Sequence, residues 1–271
     1  MMKLAILAKR FASQIPALVF LALLLLVWEV GVRQGWIKPY LFPAPSEIVD
    51  TFIGMLYEGF PPGLTLFSHI GATIPRVLQG FALAAIAAIP LGLIVGRFIL
   101  LREATQPLVT FFRSIAVISL LPVALAVFGP GEKARIALIA YAAFWIIFTN
   151  TAEGARRIPR DLLRAGTALG ASGVRLYLNV ALPATLPKIF AGLKVALGVC
   201  WVVIVAVELI GTEAGVGALI SNAQRLYRTD IVVVGMFVIG FIGYLLMVVL
   251  DAVEARLLPW AANANHVEGA R

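Results

Sequence analysis

Three ionisable residues lie within or at the edges of long apolar runs, and their side chains are the ones best suited to chemistry. They are Arg76, Arg113 and Glu208. A charged side chain in apolar surroundings is costly unless it is paired or used, so each is a candidate for contact with a polar substrate or with another of the three. An alternative stays open. The arginines can extend to a water interface, and Glu208 can satisfy a helix end or pair with a neighbouring base.

Side-chain combinations typical of enzymes are missing from the sequence. The two histidines, His69 and His266, are far apart, and no HExxH, GxSxG or phosphate-binding GxxxxGK[ST] motif occurs. The single cysteine, Cys200, excludes a disulfide framework and a cysteine metal site. The sequence therefore predicts no enzyme activity and no bound cofactor or metal. Energy for any transport must come from a partner or from an ion gradient.

The longest polar interruption between two apolar runs is residues 153–187. We interpret this segment as a cytoplasmic docking segment. It concentrates five arginines in a chain that is otherwise apolar: Arg156, Arg157, Arg160, Arg164 and Arg175.

Two short helices are predicted in this segment. Pro159 and Asp161 favour the first turn of one helix, and Gly170 is suited to end it in a left-handed conformation. Ser172 is suited to cap the second helix. Each helix has a one-sided apolar stripe that needs a packing partner. The stripes are Leu162, Leu163, Gly166 and Leu169 on the first helix, and Val174, Tyr177 and Val180 on the second.

Composition and charge indicate a membrane protein. Hydrophobic residues make up 61% of the 271 residues, charged residues make up 13%, and the mean hydropathy is +0.98. The net charge of +8 does not indicate nucleic-acid binding, because the basic residues stand at the ends of apolar blocks without interleaved aromatic residues. The positive-inside rule explains their placement.

Six apolar runs are long enough to cross a bilayer as helices. The fifth carries Lys188, Lys194 and Glu208, so we expect it to be buried among the others. A cleavable signal peptide is the alternative for the first run, but no small-residue cleavage site follows it closely. Pro90 and Pro122 permit kinks in the second and third runs. The runs lie between Arg10 and Glu29, Arg76 and Arg97, Arg113 and Glu132, Arg135 and Glu153, Pro187 and Gly211, and Asp230 and Asp251.

The division of the chain follows from these runs. Residues 1–66 hold the first span and a helix from about Glu47 to Tyr57, capped by Ser46, that suits the outer membrane surface or packing against spans. Residues 67–260 form the core with five spans, and 261–271 form a cytoplasmic tail. With the N-terminus inside, basic residues number 13 inside and 6 outside. This distribution predicts that both termini and the 153–187 segment are cytoplasmic.

Small residues in the spans indicate that helices approach one another closely. Gly80, Ala84 and Ala88 recur every fourth residue in the second span. Three further glycines, Gly235, Gly240 and Gly243, mark the sixth span. Such positions let helix backbones approach, either as static packing or as the walls of a moving pathway.

The spacing within the 153–187 segment resembles the signature loop of binding-protein-dependent ABC importer permeases. The matching units are Arg164-Ala165-Gly166, then Gly170, then Val180-Ala181-Leu182-Pro183. The departures are Arg164 where that family usually has glutamate, Gly166 for alanine and Val180 for isoleucine. Between Pro43 and Trp260 the chain is similar to the nitrate, sulfonate, taurine and bicarbonate branch of these permeases.

This resemblance implies an all-α membrane protein with the type I ABC importer permease fold, six transmembrane helices and a cytoplasmic coupling helix between the fourth and fifth. It implies a homodimer in the bacterial cytoplasmic membrane, an extracytoplasmic solute-binding protein, and two cytoplasmic ATPase subunits that hold ATP and magnesium. It also implies a translocation pathway, for which Arg76, Arg113 and Glu208 are the candidates. The residues implied in ATPase coupling are Leu162, Leu163, Arg164, Ala165, Gly166, Leu169, Gly170, Leu182 and Pro183.

A small anion such as a sulfonate, taurine, nitrate or bicarbonate is the expected cargo. Other importers of this branch carry aromatic carboxylates, thiamine precursors or riboflavin, so these stay open. An ion-coupled secondary transporter is a remote alternative, because no internal repeat is evident and most charges stand at span ends. A membrane-embedded enzyme would need clustered histidine or carboxylate residues at one surface, and a scaffold protein would not need the spacing of the loop.

Overall fold

The computed structural model of the chain describes residues 2–260, with side-chain surroundings given for Pro16 and from Val19 onward. The predicted tail, 261–271, lies outside the described residues. All of the regular structure in the described part is helical, as the sequence predicted. Eleven α-helices are found there: α1 (Met2–Arg33), α2 (Pro45–Tyr57), α3 (Leu66–Arg97), α4 (Ile99–Ser114), α5 (Leu121–Phe128), α6 (Glu132–Arg156), α7 (Arg160–Ala168), α8 (Gly173–Leu176), α9 (Leu182–Glu208), α10 (Val216–Arg225) and α11 (Thr229–Leu257).

Four helical segments of the described chain are long and apolar enough to cross a membrane. A fifth crossing results if α4 and the bent segment after it count as one span. The first predicted span lies in α1, where most side chains before Val19 are not described, so six spans remain a prediction. The four segments are Leu66–Arg97, Glu132–Arg156, Gly173–Glu208 and Thr229–Leu257.

The third predicted span, between Arg113 and Glu132, is not one helix. α4 ends at Ser114, the next two residues are extended, and a 3₁₀ turn at Val117–Leu120 leads into α5. The two halves are bent by 85°. Pro122 lacks an amide hydrogen and its ring crowds the carbonyl four residues earlier, so a regular helix begins only at this point.

The chain forms two compact units. One comprises residues up to His69 together with Leu219–Val238, and the other comprises Ile70–Ala218 together with residues from Ile239 onward.

In the second unit the core lies between α3, α5, α6 and α9, and α6 and α9 share the most extensive contact. Half of the most apolar 18-residue stretch in the Gly173–Glu208 span is buried, a larger share than in the other spans of the described residues. This confirms the prediction that the charged fifth span is enclosed by others. Its Lys194 forms ion pairs with Asp251, at 2.6 Å, and with Glu254 on α11.

In the first unit, α1 and α2 are joined through Glu29. Its carboxylate accepts hydrogen bonds from the Ser46 amide, at 3.1 Å, and from the Ser46 hydroxyl, at 2.8 Å. The prediction that Ser46 caps α2 was therefore wrong. The helix begins two residues earlier than predicted, at Pro45, and the Ala44 amide donates to the Glu47 carboxylate.

The small residues of α3 lie against α6, as the sequence predicted. A side-chain carbon at Gly80 would lie 2.7 Å from Cβ of Ile139, and Ala84 and Ala88 are buried. The contact continues at Gly96, where a Cβ would lie 2.3 Å from the Ala152 carbonyl oxygen. Because Gly80 and Gly96 have no side chain, α3 and α6 can approach each other this closely.

Replacing Gly96 with alanine is expected to destabilise the protein by about 1–3 kcal/mol, because the added carbon overpacks a backbone contact that cannot yield. Thermal unfolding of the purified protein in detergent measures this loss. Gly71→Ala is the matched control on the same helix, since nothing lies within 4 Å of its added carbon. It should be neutral or should stabilise α3 by up to about 1 kcal/mol through helix propensity. Equal melting temperatures for the two variants would contradict the close approach.

Candidate docking segment and buried charge network

The first helix predicted in the 153–187 segment is present as α7. Pro159 precedes its first residue, and Asp161 stands in its first turn, where a negative charge is favoured. Two residues of the apolar stripe are uncovered, since Leu162 and Leu169 are 44% and 89% exposed. α7 therefore presents an apolar face beyond the packing of this chain.

Gly170 ends α7 as predicted. Its φ of +85° is the left-handed conformation that side chains disfavour. The Ala171 amide donates to the Gly166 carbonyl and the Gly170 amide to that of Thr167, each at 3.0 Å. These two bonds are a Schellman motif, which turns the chain sharply out of the helix.

The second predicted helix is not separate. Ser172 stands at the N-cap of α8 but its side chain makes no capping hydrogen bond. α8 runs through a π-helical turn, Tyr177–Ala181, into α9, forming one continuous segment. Pro183 accounts for the turn, because it lacks the amide that would bond the Asn179 carbonyl and its ring crowds that group.

α7 is held against this continuous segment by a close contact at Gly166, which is buried. A Cβ there would lie 2.9 Å from side-chain carbons of both Leu176 and Val180. The Tyr177 hydroxyl donates to the Leu93 carbonyl at 2.7 Å and so ties the π turn to α3. The helix, the turn and the nearest spans are therefore packed as one body.

A groove of about 840 Å³ runs along the exposed face of α7. We call it the docking groove. Sequence reasoning missed the contribution of α11, because no local pattern shows that the end of this helix returns to the 153–187 segment. Principal lining residues are Leu162, Ala165, Gly166 and Leu169 of α7, Asn179 and Val180 of the π turn, Pro183 and Pro187 of α9, and Glu254 and Trp260.

Beside the docking groove, α7 carries a cationic surface. Arg164 is largely exposed and lies 3.5 Å from the equally exposed carboxylate of Asp161, a contact that contributes little stability. Arg164 also lines a smaller hollow together with Arg97, Arg160 and Leu163. This surface is suited to an acidic partner surface.

The remaining predicted coupling residues have mixed surroundings. Leu182 packs partly against the core, whereas Pro183 lies in the docking groove. Ala165 is exposed on α7 and lines the same groove. Of the predicted residues, Leu162, Ala165, Gly166, Leu169 and Pro183 thus line the docking groove, and Leu163 and Arg164 line the smaller hollow beside it.

Arg76 and Glu208 lie together in a buried network at the other end of α9. The Arg76 guanidinium donates to the Glu208 carboxylate at 2.6 Å, to Glu132 at 2.7 Å and to the Ala214 carbonyl at 2.7 Å. Glu208 is fully buried, and Arg76 is only 6% exposed. Two of the three candidates therefore contact each other, and Glu208 pairs with a base.

Glu208 also satisfies a helix end. It accepts a hydrogen bond from the Gly217 amide, at 3.0 Å, and from the Thr73 hydroxyl, at 3.0 Å. Thr73 in turn accepts from the Val216 amide at 2.9 Å. Sequence reasoning missed Thr73 and Glu132, although Thr73 lies one helical turn before Arg76. The network holds the start of α10 against α3 and α9.

Arg113, the third candidate, does not join this network. It lies in the last turn of α4 and lines two hollows between α4 and α6. Within residues 2–260, no three histidine, cysteine or carboxylate side chains come together as metal ligands would. The arrangement offers a docking surface, a buried ion network and a cationic hollow.

Comparison with known families gives a match over residues 88–262 to the binding-protein-dependent transport system inner membrane components. This match covers most of the buried core, the docking groove and the Glu208 end of α9.

Three characterised relatives have similar length and sequence. The taurine transport system permease protein TauC of Escherichia coli is 32% identical over 89% of this chain and 87% of its own length. The nitrate import permease protein NrtB of Leptolyngbya laminosa is 32% identical over 94% and 91%. The bicarbonate transport system permease protein CmpB of Synechococcus elongatus is 39% identical over 87% and 85%.

A chain of the MetNI methionine ABC transporter, solved in inward-facing conformations, has a similar fold. Its TM-score is 0.62 at 19% sequence identity, and the match covers 71% of this chain and 95% of that one.

Proposed function

Because the chain belongs to the binding-protein-dependent transport system inner membrane components, we propose that α7 couples it to an ATPase subunit and that it transports a small anion. The chain is the permease subunit of an ABC importer, a multi-pass membrane protein, and it is not the ATPase.

The observation that carries the coupling proposal is the uncovered apolar face of α7 above the docking groove. Leu169 is 89% exposed at the end of this face, directly before the Gly170 turn. An exposed apolar patch beside a groove is typical of a surface that another protein covers. The cationic side formed by Arg97, Arg160 and Arg164 favours an ATPase with acidic residues next to its cleft.

The assembly we propose contains two copies of this permease, two ATPase subunits that bind ATP and magnesium, and an extracytoplasmic solute-binding protein. Six spans with cytoplasmic termini place the α7 segment on the ATPase side of the inner membrane. The loop and helix between Gly211 and Asp230 then face the binding protein. Closure of the ATPases moves α7, and the spans alternate between inward and outward openings.

We assign the cargo to small molecules that carry an oxyanion group, because the named relatives transport taurine, nitrate or bicarbonate. These molecules share an oxyanion group with oxygens in a plane or a tripod. An arginine guanidinium recognises that geometry through paired hydrogen bonds.

The cargo proposal predicts that binding protein loaded with a sulfonate or with nitrate stimulates ATP hydrolysis by the reconstituted complex. Empty binding protein should stimulate less, because only the loaded form favours the closed ATPase state. The measurement is phosphate release from proteoliposomes with each candidate ligand in turn. Stimulation only by ligands that lack an oxyanion group would exclude this cargo, and a permease that binds no ATPase subunit would exclude the coupling proposal.

A further inference from the structure

Two adjoining hollows, of about 590 Å³ and 620 Å³, lie between α4 and α6. They share Arg113, Thr149 and Glu153 in their linings. We call the pair the α4–α6 hollow. One part is bordered by Trp145 and by side chains of α9, and the other by the polar side of α4. Each part is large enough to hold a small organic or inorganic anion.

Arg113 has no carboxylate partner in the described part of the chain. The nearest acid of the hollow, Glu153, instead accepts hydrogen bonds from Arg156, at 2.8 and 2.6 Å, and from Arg157, at 2.6 Å. One carboxylate thus already faces two guanidinium groups. Arg113 is itself exposed, so its guanidinium faces the hollow without a carboxylate partner and can bind an anion there.

The position of Arg113 is set by its neighbour. The Tyr141 hydroxyl donates to the Phe112 carbonyl at 2.5 Å, and the Phe112 ring stacks on Trp145 with centroids 5.5 Å apart. These two contacts fix the end of α4 against α6. Arg113 therefore lines the hollow from a fixed backbone and does not depend on a loop.

Other cations and amide groups continue from Arg113 along the hollow. Arg102, Gln106 and Arg113 lie on one side of α4, and the two arginines are about 16 Å apart at 1.5 Å rise per residue. In the other hollow, which Arg113 also lines, Asn150 uses one amide hydrogen on the Ile146 carbonyl, which leaves its second for another acceptor. The linings of the two hollows therefore offer guanidinium charges and N–H donors at several points along the hollow.

We propose that the α4–α6 hollow is a transit site for the transported anion, with Arg113 as its main ligand and Asn150 and Arg102 as further contacts. The guanidinium binds two oxygens of a sulfonate, nitrate or bicarbonate group. The apolar wall of Trp145 and Val199 covers the remainder of the anion. This inference rests on the proposed function, since it names where the cargo contacts this chain.

The test uses the whole importer with its ATPase subunits and binding protein in proteoliposomes. Arg113→Gln should lower uptake of taurine or nitrate by about 10- to 100-fold, the effect of losing one charge-assisted interaction. Loaded binding protein should still stimulate ATP hydrolysis in this variant, because the docking groove is unchanged. Arg113→Lys keeps the charge but loses the paired donors, so its uptake should lie between that of the wild type and that of Arg113→Gln. Leu108→Ala, which lies on α4 outside both linings, should transport normally.

The outcomes separate the two proposals. If the wild-type complex imports the anion and Arg113→Gln does so at the normal rate, the transit site is overturned. The proposal of an anion importer is not affected by that result. A wild-type complex that imports no anion overturns the proposed cargo. A loss of ATPase stimulation equal to the loss of uptake shows a structural role for Arg113 and also overturns the transit site.

A second measurement needs no Arg113 variant. The fluorescence of Trp145, taken as the difference between the wild-type complex and Trp145→Phe, is titrated with iodide and with caesium. We expect iodide to quench this signal more strongly than caesium, because the hollow attracts anions. Equal quenching by the two ions would overturn the proposal.

Discussion

Gly170→Glu is expected to abolish both ATP-dependent transport and association with the ATPase, while the permease still inserts into the membrane. The left-handed backbone alone costs a side chain roughly 1–2 kcal/mol, which does not unfold the protein. The larger effect on docking comes from the position of the new carboxylate. A carboxylate at the C-terminal end of α7 opposes the helix dipole and stands beside the exposed apolar face that we assign to the ATPase. Co-purification with the ATPase and uptake by proteoliposomes measure the two losses.

Two controls separate backbone strain from lost docking. Gly170→Asn keeps a residue that tolerates the left-handed conformation and should retain most of the activity. Gly63 also has a positive φ, +91°, with nothing within 4 Å of an added carbon, and it lies outside the docking segment. Gly63→Glu should therefore couple normally. Substrate-stimulated ATP hydrolysis at the wild-type level in Gly170→Glu would disprove the assignment of this segment.

Arg76→Met should give the largest loss of stability. It leaves the fully buried Glu208 without its counter-charge, and breaking a buried ion pair costs about 3–5 kcal/mol. In detergent this corresponds to a fall in melting temperature on the order of 10 °C. The double variant Arg76→Met with Glu208→Gln should recover part of the loss, because no unpaired buried charge remains.

The pair of the exposed Arg228 and the half-buried Asp230, 2.7 Å apart, is the matched comparison for that prediction, because both side chains are more accessible to water than Glu208. Arg228→Met should cost no more than about 1 kcal/mol, since water replaces the lost partner. If the double variant melts no higher than Arg76→Met, the network does not owe its stability to charge pairing.

Local patterns were enough to locate the α7 segment. Pro159, Asp161 and Gly170 act on their nearest neighbours, so the beginning and end of α7 agree with the sequence prediction. The Gly80 stripe on α3 was also predictable, because a repeat of small residues on one helix face has few other uses. These features depend on spacing within one helix.

Features that depend on distant parts of the chain were not predictable. Ser46 resembles a helix cap, yet its hydroxyl bonds to Glu29, 17 residues earlier. The sequence showed Arg76 and Glu208 as isolated charges, and only the fold brings them within 2.6 Å, more than 130 positions apart. The length of the apolar run did not predict the break after Ser114, because composition alone does not distinguish a straight span from one bent by 85°.

The helical segment from Gly173 to Glu208 connects the docking groove with the buried Arg76–Glu208 network, the two regions to which the predictions above apply. It is 36 residues long and begins under α7, beside the docking groove, whereas its other end carries the buried carboxylate that holds α10. At a rise of 1.5 Å per residue this segment is about 54 Å long. A tilt of about 5° at the α7 end therefore displaces the Glu208 end by about 5 Å, roughly one turn of helix. The π turn at Tyr177–Ala181 lies close to the α7 end, where such a tilt would begin.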